Sequence, residues 1–182
     1  MDRAEKLTNG LGIEKYSWNK KAFDFHCESK CIFGDTLLAS AIISYMGVFP
    51  ISYRETCSLY WMERLTLMNI KYSDNFSLQH LLSDPITISL WTNQEKLPND
   101  QFSIDNAIIL KNSTRWPLMI DPQSQGCNWI KNMEADKNLL TLRPNQSIQE
   151  IGIQLENAIS IGYPVLLENV GEQFHAIFEP IL

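Results

Sequence analysis

The sequence predicts an α/β protein in which helices flank a parallel sheet and a helical N-terminal region precedes it. Three short, predominantly apolar segments are expected to be buried strands: 118–120, 139–142 and 165–167. Segments with helical spacing separate them, and buried strands joined in this way favour a parallel sheet with crossover helices. With 182 residues, 45% of them hydrophobic, the chain can bury a core as one domain, or as one domain plus an arm.

Residues 1–33 are polar and helix-prone, and they are expected to form a helical arm. Steps of four and three residues, typical of a seam against one partner helix, separate Trp18, Ala22, Phe25, Ser29 and Ile32. Gly10 and Gly12 weaken the helix within this stretch. The pattern leaves two interpretations open, the root of a longer coiled-coil arm and a frayed amphipathic helix.

Residues 34–110 are expected to form a helical lead-in to the sheet. Asp35 is the predicted N-cap of a buried helix that runs to Tyr45, and Gly47 is its predicted stop. Helical spacing predicts a second helix through Cys57, Trp61, Leu65 and Met68.

Three shorter helices complete this lead-in. One is expected at 76–82. Asp84 and Pro85 suit the start of another, although Ile86, Ile88 and Leu90 alternate as in a strand; we favour the helix. Ser103 is the predicted cap of a helix over 104–110.

The loop after segment 118–120 has the frame of a phosphate-binding loop but not its charges. Nucleoside-triphosphatases hold phosphate between a strand and a helix on the pattern G-x-x-x-x-G-K-[ST]. Asp121 takes the position of the first glycine and Gly126 that of the second, with Pro122, Gln123, Ser124 and Gln125 between them. Cys127 stands where the lysine is required, and Asn128 where the Ser or Thr is required.

These replacements remove the chemistry of a nucleotide site. The lysine offsets charge on the β and γ phosphates, and the hydroxyl ligates Mg²⁺. Asp121 would bring a carboxylate close to the phosphate position, where like charges repel. Lys131 lies one helical turn beyond Cys127 and is not expected to substitute. We therefore expect neither cofactor nor metal here, although amides at the helix start could still attract an anion.

The last strand ends in Glu168 and Asn169, and a capping box at Ser147 and Glu150 opens the helix before it, which Gly162 closes. An acidic pair at such a strand end ordinarily serves Mg²⁺ and the attacking water. Glu168 could still approach a metal, but Asn169 cannot accept a proton, so the position of the general base is vacant. No catalytic residue is expected.

Composition excludes several classes of function. The net charge of −6 argues against nucleic acid or an acidic membrane surface as a partner. Membrane helices need about 20 consecutive apolar residues, and the sequence has no such stretch. Cys27 and Cys31 lie beside His26, but a metal site would need further ligands. Thiols without a metal, in a reducing cytosol, are the expectation.

Several motifs, in order along the chain, together resemble the fifth AAA+ module of dynein heavy chains. They are Leu97-Pro-Asn-Asp100, Trp116-Pro-Leu-Met-Ile-Asp-Pro-Gln123, Trp129-Ile-Lys-Asn-Met-Glu134 and Pro164-Val-Leu-Leu-Glu-Asn-Val-Gly-Glu172. Upstream, Gly34-Asp-Thr-Leu-Leu38 fits too, and Leu7 to Trp18 is similar to the descending helix of the microtubule-binding stalk. The sequence around Arg115 and Asp121 resembles axonemal more than cytoplasmic dyneins.

The resemblance implies a structural module of the P-loop NTPase (AAA+) fold that transmits motion between ring and stalk. It implies a stalk root at 1–33, a lead-in at 34–110 and an α/β core at 111–182 that continues beyond Leu182. The implied partners are neighbouring AAA+ modules, the partner stalk helix, other dynein subunits and, through the parent protein, microtubules. ATP and Mg²⁺ would belong to other modules, and the location would be cytoplasm, cytoskeleton and ciliary axoneme. Ser124 and Gly126 differ from the residues usual in the family at this loop, and neither difference restores the missing lysine.

Two alternatives remain open. Instead of a non-catalytic module, the chain could be a divergent ATPase module that uses Gly126, Asn128 and Glu168, or a free-standing dynein-related protein that binds a partner through its arm. Titration with Mg-ATP tests the first alternative. The second predicts a monodisperse soluble protein.

Overall fold

The computed structural model describes residues 2–143, 147–171 and 177–178. Within these ranges the chain is mostly helical, with a small parallel sheet. The elements are α1 (Asp2–Tyr45), α2 (Ile51–Leu67), α3 (Leu78–Leu82), α4 (Pro85–Asn93), α5 (Gln101–Asn112), α6 (Gln125–Met133), a 3₁₀ turn (Ala135–Lys137), β1 (Leu140–Leu142), α7 (Ile148–Ile161) and β2 (Val165–Leu167). No helix in the described ranges is both long enough and apolar enough to cross a membrane.

The chain divides into two compact units, and the division falls inside α5. The first unit comprises Met1–Ser83 and Asp105–Asn112, and the second comprises Asp84–Ile104 and Ser113–Leu182. Long α1 with α2 and α3 therefore belongs to the first unit, and the sheet with α6 and α7 belongs to the second.

Helix α1 changes environment along its length. It runs unbroken through Gly10 and Gly12, and the described side chains before Gly34 are almost all exposed. Beyond this point α1 packs against α2 and α3 and buries Leu38, Ala39 and Ile42. Because the side chains of the predicted seam face solvent, that seam stays a prediction.

Two predicted helix starts are wrong. Asp35 lies inside α1 rather than at its N-terminus, because a single preceding glycine costs a helix only about 1 kcal/mol and does not end it. Helix α5 begins at Gln101, before Ser103. The carboxylate of Asp100 accepts the Ser103 amide at 2.9 Å, so the aspartate caps this helix instead of the serine.

Three other predicted helix ends are confirmed, at Asp84, Ser147 and Gly162, whereas the helix expected at 76–82 begins at Leu78 and the one expected at 104–110 ends at Asn112. Asp84 accepts the amides of Ile86 and Thr87, both at 2.9 Å, at the start of α4. The helical interpretation of this segment is therefore right. A capping box between Ser147 and Glu150 opens α7, and Gly162 ends it with a φ of 84°.

A buried arginine ties the first unit together. The Nε of Arg54 donates to the carbonyl of Phe49 at 2.8 Å. Its Nη2 donates to the carbonyl of Gly47 at 3.0 Å and to Asn106 Oδ1 at 2.7 Å. Because a buried charge is tolerated only when it is hydrogen-bonded, these bonds fix the turn after α1 against α2 and the later part of α5.

The sheet of the second unit is parallel, as predicted. Strands β1 and β2 pair in register, with Leu140 opposite Val165 and Leu142 opposite Leu167. Leu142 packs with Ile151 and Leu155 of α7 in a small apolar core. Helix α7 is thus the crossover connection that covers this pair of strands.

The predicted strand at 118–120 is wrong for the described structure. No strand is assigned there, and Leu118 and Ile120 are 72% and 89% exposed. An extended segment becomes a strand only when a neighbour pairs with its backbone groups. The described sheet contains only β1 and β2, and neither pairs with this segment.

Candidate functional site

The phosphate-loop segment, residues 121–128, forms a tight turn into α6. The amide of Ser124 donates to the carbonyl of Asp121 at 3.2 Å. Ser124 itself has a φ of 57° and stands directly before the first helical residue. This left-handed conformation is uncommon for a residue other than glycine. The turn therefore depends on Ser124 rather than on a glycine.

The carboxylate of Asp121 occupies the amides at the start of α6. Its Oδ1 accepts the amide of Gln125 at 3.0 Å, and its Oδ2 accepts the amide of Cys127 at 2.9 Å. The first amides of a helix have no partner within the helix, and in phosphate-binding loops they face the phosphate. In this chain an internal carboxylate takes that position.

Glycine is not sterically required at position 126 in this arrangement. A Cβ placed there would lie 3.5 Å from Asp121 Oδ2, which is an ordinary contact. Glycines in nucleotide-binding loops allow the backbone to approach a phosphate closely. The predicted second-glycine position is therefore filled, but its usual purpose is not needed by the described structure.

Cys127, at the position of the lysine, carries a neutral thiol. Its Sγ donates to Glu168 Oε1 at 3.4 Å. Burial, reinforced by this carboxylate, raises the pKa of the thiol. Asn128 is exposed on the first turn of α6. The two positions that should supply a cation and a hydroxyl thus supply an uncharged thiol and an amide.

Glu168 is held by three partners at the end of β2. It forms ion pairs with Lys131 and with Arg143, whose Nε lies 2.7 Å from Oε2, and it accepts the Cys127 thiol. Its side chain is only 11% exposed, and the hydrogen bonds from Lys131 and Arg143 lower its pKa to about 2. Two cations therefore neutralise the carboxylate that could have approached a metal.

Lys131 and Arg143 show what sequence reasoning missed. The sequence analysis considered Lys131 only as a substitute for the phosphate-binding lysine and rejected it. It did not predict the ion pair that the Lys131 ammonium group forms with Glu168. Arg143 follows β1 directly, as Glu168 follows β2. Because parallel strands end at the same edge of a sheet, this pairing could have been predicted. Asn169, next to Glu168, is exposed.

Tryptophan packing holds α6 in place. The indole Nε1 of Trp129 donates to Glu95 Oε2 at 2.9 Å, and Asn132 Nδ2 donates to the carbonyl of Glu95 at 2.9 Å. The rings of Trp91 and Trp129 meet edge to face with centroids 5.7 Å apart. Sequence reasoning did not find Glu95, because it lies 34 positions from Trp129 along the chain.

Acid should weaken the second unit through Glu168. Since its folded pKa is about 2, below the ordinary 4.5, its ion pairs stabilise the fold above pH 4.5 and that contribution is lost as pH falls from 4.5 towards 2. We expect Glu168→Gln to flatten the loss of stability across this window. Urea unfolding at a series of pH values measures it, with the exposed Glu156→Gln as the control. Identical pH profiles for wild type and Glu168→Gln would contradict the assignment.

Comparison with known proteins matches both ends of the chain to family models of the dynein motor. The family described as the ATP-binding dynein motor region matches residues 89–182, about half of the chain. The family described as the microtubule-binding stalk of the dynein motor matches residues 1–65. The chain therefore belongs to the dynein heavy-chain motor family.

Individual relatives agree along nearly the whole chain. Dynein axonemal heavy chain 3 is 46% identical in Mus musculus and 44% identical in Homo sapiens, in each case over 99% of this chain. The Dynein-1-beta heavy chain of the flagellar inner arm I1 complex of Chlamydomonas reinhardtii is 37% identical over 100% of it. The chain spans 4% of the length of each of these relatives.

Proposed function

We propose that this chain is a non-catalytic part of a dynein heavy chain, in which the scaffold of an ATP-binding module serves as a structural part that transmits motion. The helical arm is the root of the stalk, and residues 111–182 are part of an AAA+ core. No nucleotide, metal or catalytic residue belongs to residues 121–128 or to the end of β2.

The observation that carries this proposal is the position of the Asp121 carboxylate. A bound phosphate would need the amides of Gln125 and Cys127, and Asp121 already accepts both. Displacing it would leave a carboxylate beside a polyanion, at a cost that rises as water is excluded. The lysine that offsets phosphate charge in working sites is absent, since Cys127 stands in its place.

The surroundings of Glu168 support the same conclusion. A carboxylate that binds Mg²⁺ through a water or directly must keep its charge available. Here Lys131 and Arg143 pair with it and join α6, β1 and β2 at one edge of the sheet. We infer that an acidic strand end, used for metal in active modules, now holds secondary-structure elements together.

The family and its relatives support the wider context of the proposal. The two mammalian relatives are named axonemal, and the algal relative is named as a flagellar inner-arm protein. We infer that this chain acts in the axonemal cytoskeleton. Its proposed partners are neighbouring AAA+ modules, the second helix of the stalk and other dynein subunits, with microtubules reached through the parent protein. The proposed AAA+ sheet would extend β1 and β2 with further parallel strands.

Calorimetric titration of the chain with Mg-ATP tests the proposal. We expect no saturable heat at nucleotide concentrations up to millimolar, alongside a P-loop ATPase with an intact lysine as the positive control. A micromolar dissociation constant would overturn the non-catalytic assignment and favour the alternative in which Gly126, Asn128 and Glu168 serve a divergent nucleotide site.

A further inference from the structure

We propose that Gly34 and Asp35 of α1, together with residues 71–73, form an arm anchor that sets the register of the helical arm on its base. The proposal rests on the proposed function, because an arm can transmit motion only if its root does not slip. It names the residues that prevent slipping, all within the first unit.

Gly34 brings α1 into direct contact with another part of the backbone. A Cβ at this position would overlap the carbonyl oxygen of Lys71 and lie 3.1 Å from the Cβ of Tyr72. Both groups belong to the chain between α2 and α3, and neither is the mobile end of a side chain. Glycine is therefore required here by close approach, whereas a Cβ on Gly10 or Gly12 would meet nothing within 4 Å.

Asp35 adds a directional bond beside this contact. Its side chain is only 6% exposed. Oδ1 accepts the amide of Ser73 at 2.8 Å, and Oδ2 accepts the Ser73 hydroxyl at 2.6 Å. A buried carboxylate that loses such donors is strongly destabilising, so Asp35 ties α1 to one particular residue of the loop.

The anchor lies at the boundary between the exposed and the packed parts of α1. The described side chains on its N-terminal side are almost all exposed, and those on its C-terminal side include buried Leu38 and Ala39. Apolar packing is non-directional, so on its own it would tolerate a shifted helix. The anchor supplies the direction that packing lacks.

The sequence allows only one register at this position. A shift of α1 by one turn would bring a residue three or four positions away from Gly34 against the Lys71 carbonyl, and these are Lys30, Cys31, Leu37 and Leu38. All four carry side chains that would collide there. The same shifts would replace Asp35 by Cys31, Ile32, Leu38 or Ala39, and none of these has a side-chain oxygen that could accept the hydrogen bonds from Ser73.

A functional consequence follows from this single register. An axial or rotational displacement of α1 acts directly on the loop at 71–73. No neighbouring residue of α1 can replace Asp35 in its bonds to Ser73 or Gly34 in its contact with Lys71.

Distance measurements by pulsed electron resonance test the anchor. Spin labels are attached to cysteines introduced at the exposed positions Lys21 on α1 and Glu63 on α2, with Cys27, Cys31, Cys57 and Cys127 replaced by serine. We expect one narrow distance in the wild-type background. Asp35→Ala should broaden it, because only the Gly34 contact then holds the register, while far-UV circular dichroism still reports an intact helix.

Glycine variants provide the matched comparison. Gly34→Ala should change the distance in the same way and lower the melting temperature by roughly 5 °C, although alanine favours helices over glycine. Gly10→Ala should leave the distance unchanged and leave or raise the melting temperature. If Gly34→Ala does not fold, the distances measured in Asp35→Ala and Ser73→Ala test the anchor instead. Unchanged distances in both variants would overturn it, and so would loss of α1 helicity in both.

The outcome is separable from the proposed function. Binding of Mg-ATP by the chain would contradict the non-catalytic assignment but would not change what the measured distances say about the anchor. Unchanged distances in a chain that binds no Mg-ATP would sink the anchor alone.

Discussion

Replacing Trp129 by alanine is expected to lower the free energy of unfolding by about 3–5 kcal/mol, the range for removing a large buried aromatic side chain. Trp129 is only 2% exposed. Its loss would open a cavity beside Trp91 and leave the carboxylate of Glu95 without its indole donor. Because α6 carries Cys127 and Lys131, the phosphate-loop segment should loosen with it.

Urea unfolding followed by far-UV circular dichroism measures this effect. Trp129→Phe keeps an aromatic ring but not the indole donor, and it should cost about 1–2 kcal/mol, which keeps the test readable if the alanine variant is too unstable. Trp18, which is 69% exposed, is the control, and Trp18→Ala should change stability by no more than about 0.5 kcal/mol. Equal effects at the two tryptophans would contradict the packing described for α6.

Asp121→Ala is the second substitution with a large expected effect, a loss of about 1–2 kcal/mol, the upper part of the range for helix caps. It removes the acceptor of two amides, those of Gln125 and Cys127, and exposes the positive end of the α6 dipole. Asp121→Asn retains one oxygen and should lose less. The same unfolding assay applies.

An alanine variant at Asp121 as stable as the wild type would show that the carboxylate does not hold the loop. Asp136→Ala offers a comparison within the same unit, since Asp136 is exposed in the 3₁₀ turn. We expect that variant to stay within about 0.5 kcal/mol of the wild type.

Local sequence signals predicted most of the helix ends and both paired strands. Asp84, Ser147 and Gly162 act on amides or φ angles only a few residues away, so their roles can be read from the neighbouring sequence. Residues 140–142 and 165–167 are apolar apart from Thr141, and such runs indicate buried parallel strands without knowledge of their partners.

Features that depend on distant residues were not predictable in the same way. Asp35 was read as a cap because its partner, Ser73, lies 38 positions away along the chain. Segment 118–120 has the composition of a strand, but composition does not supply a neighbour to pair with. That Asp121 and Cys127 do not serve phosphate binding was predicted from residue types alone and stays a prediction, whereas the bonds from the amides of Gln125 and Cys127 to Asp121 became visible only in the structure.

The most direct test of the central claim observes the two amides themselves. In ¹H–¹⁵N spectra of the labelled chain, Mg-ATP should leave the amide resonances of Gln125 and Cys127 where they are, because Asp121 already occupies them. Saturable shifts of both resonances, with slower amide exchange as nucleotide is added, would show that phosphate displaces the carboxylate, and the account of this module as structural would be wrong.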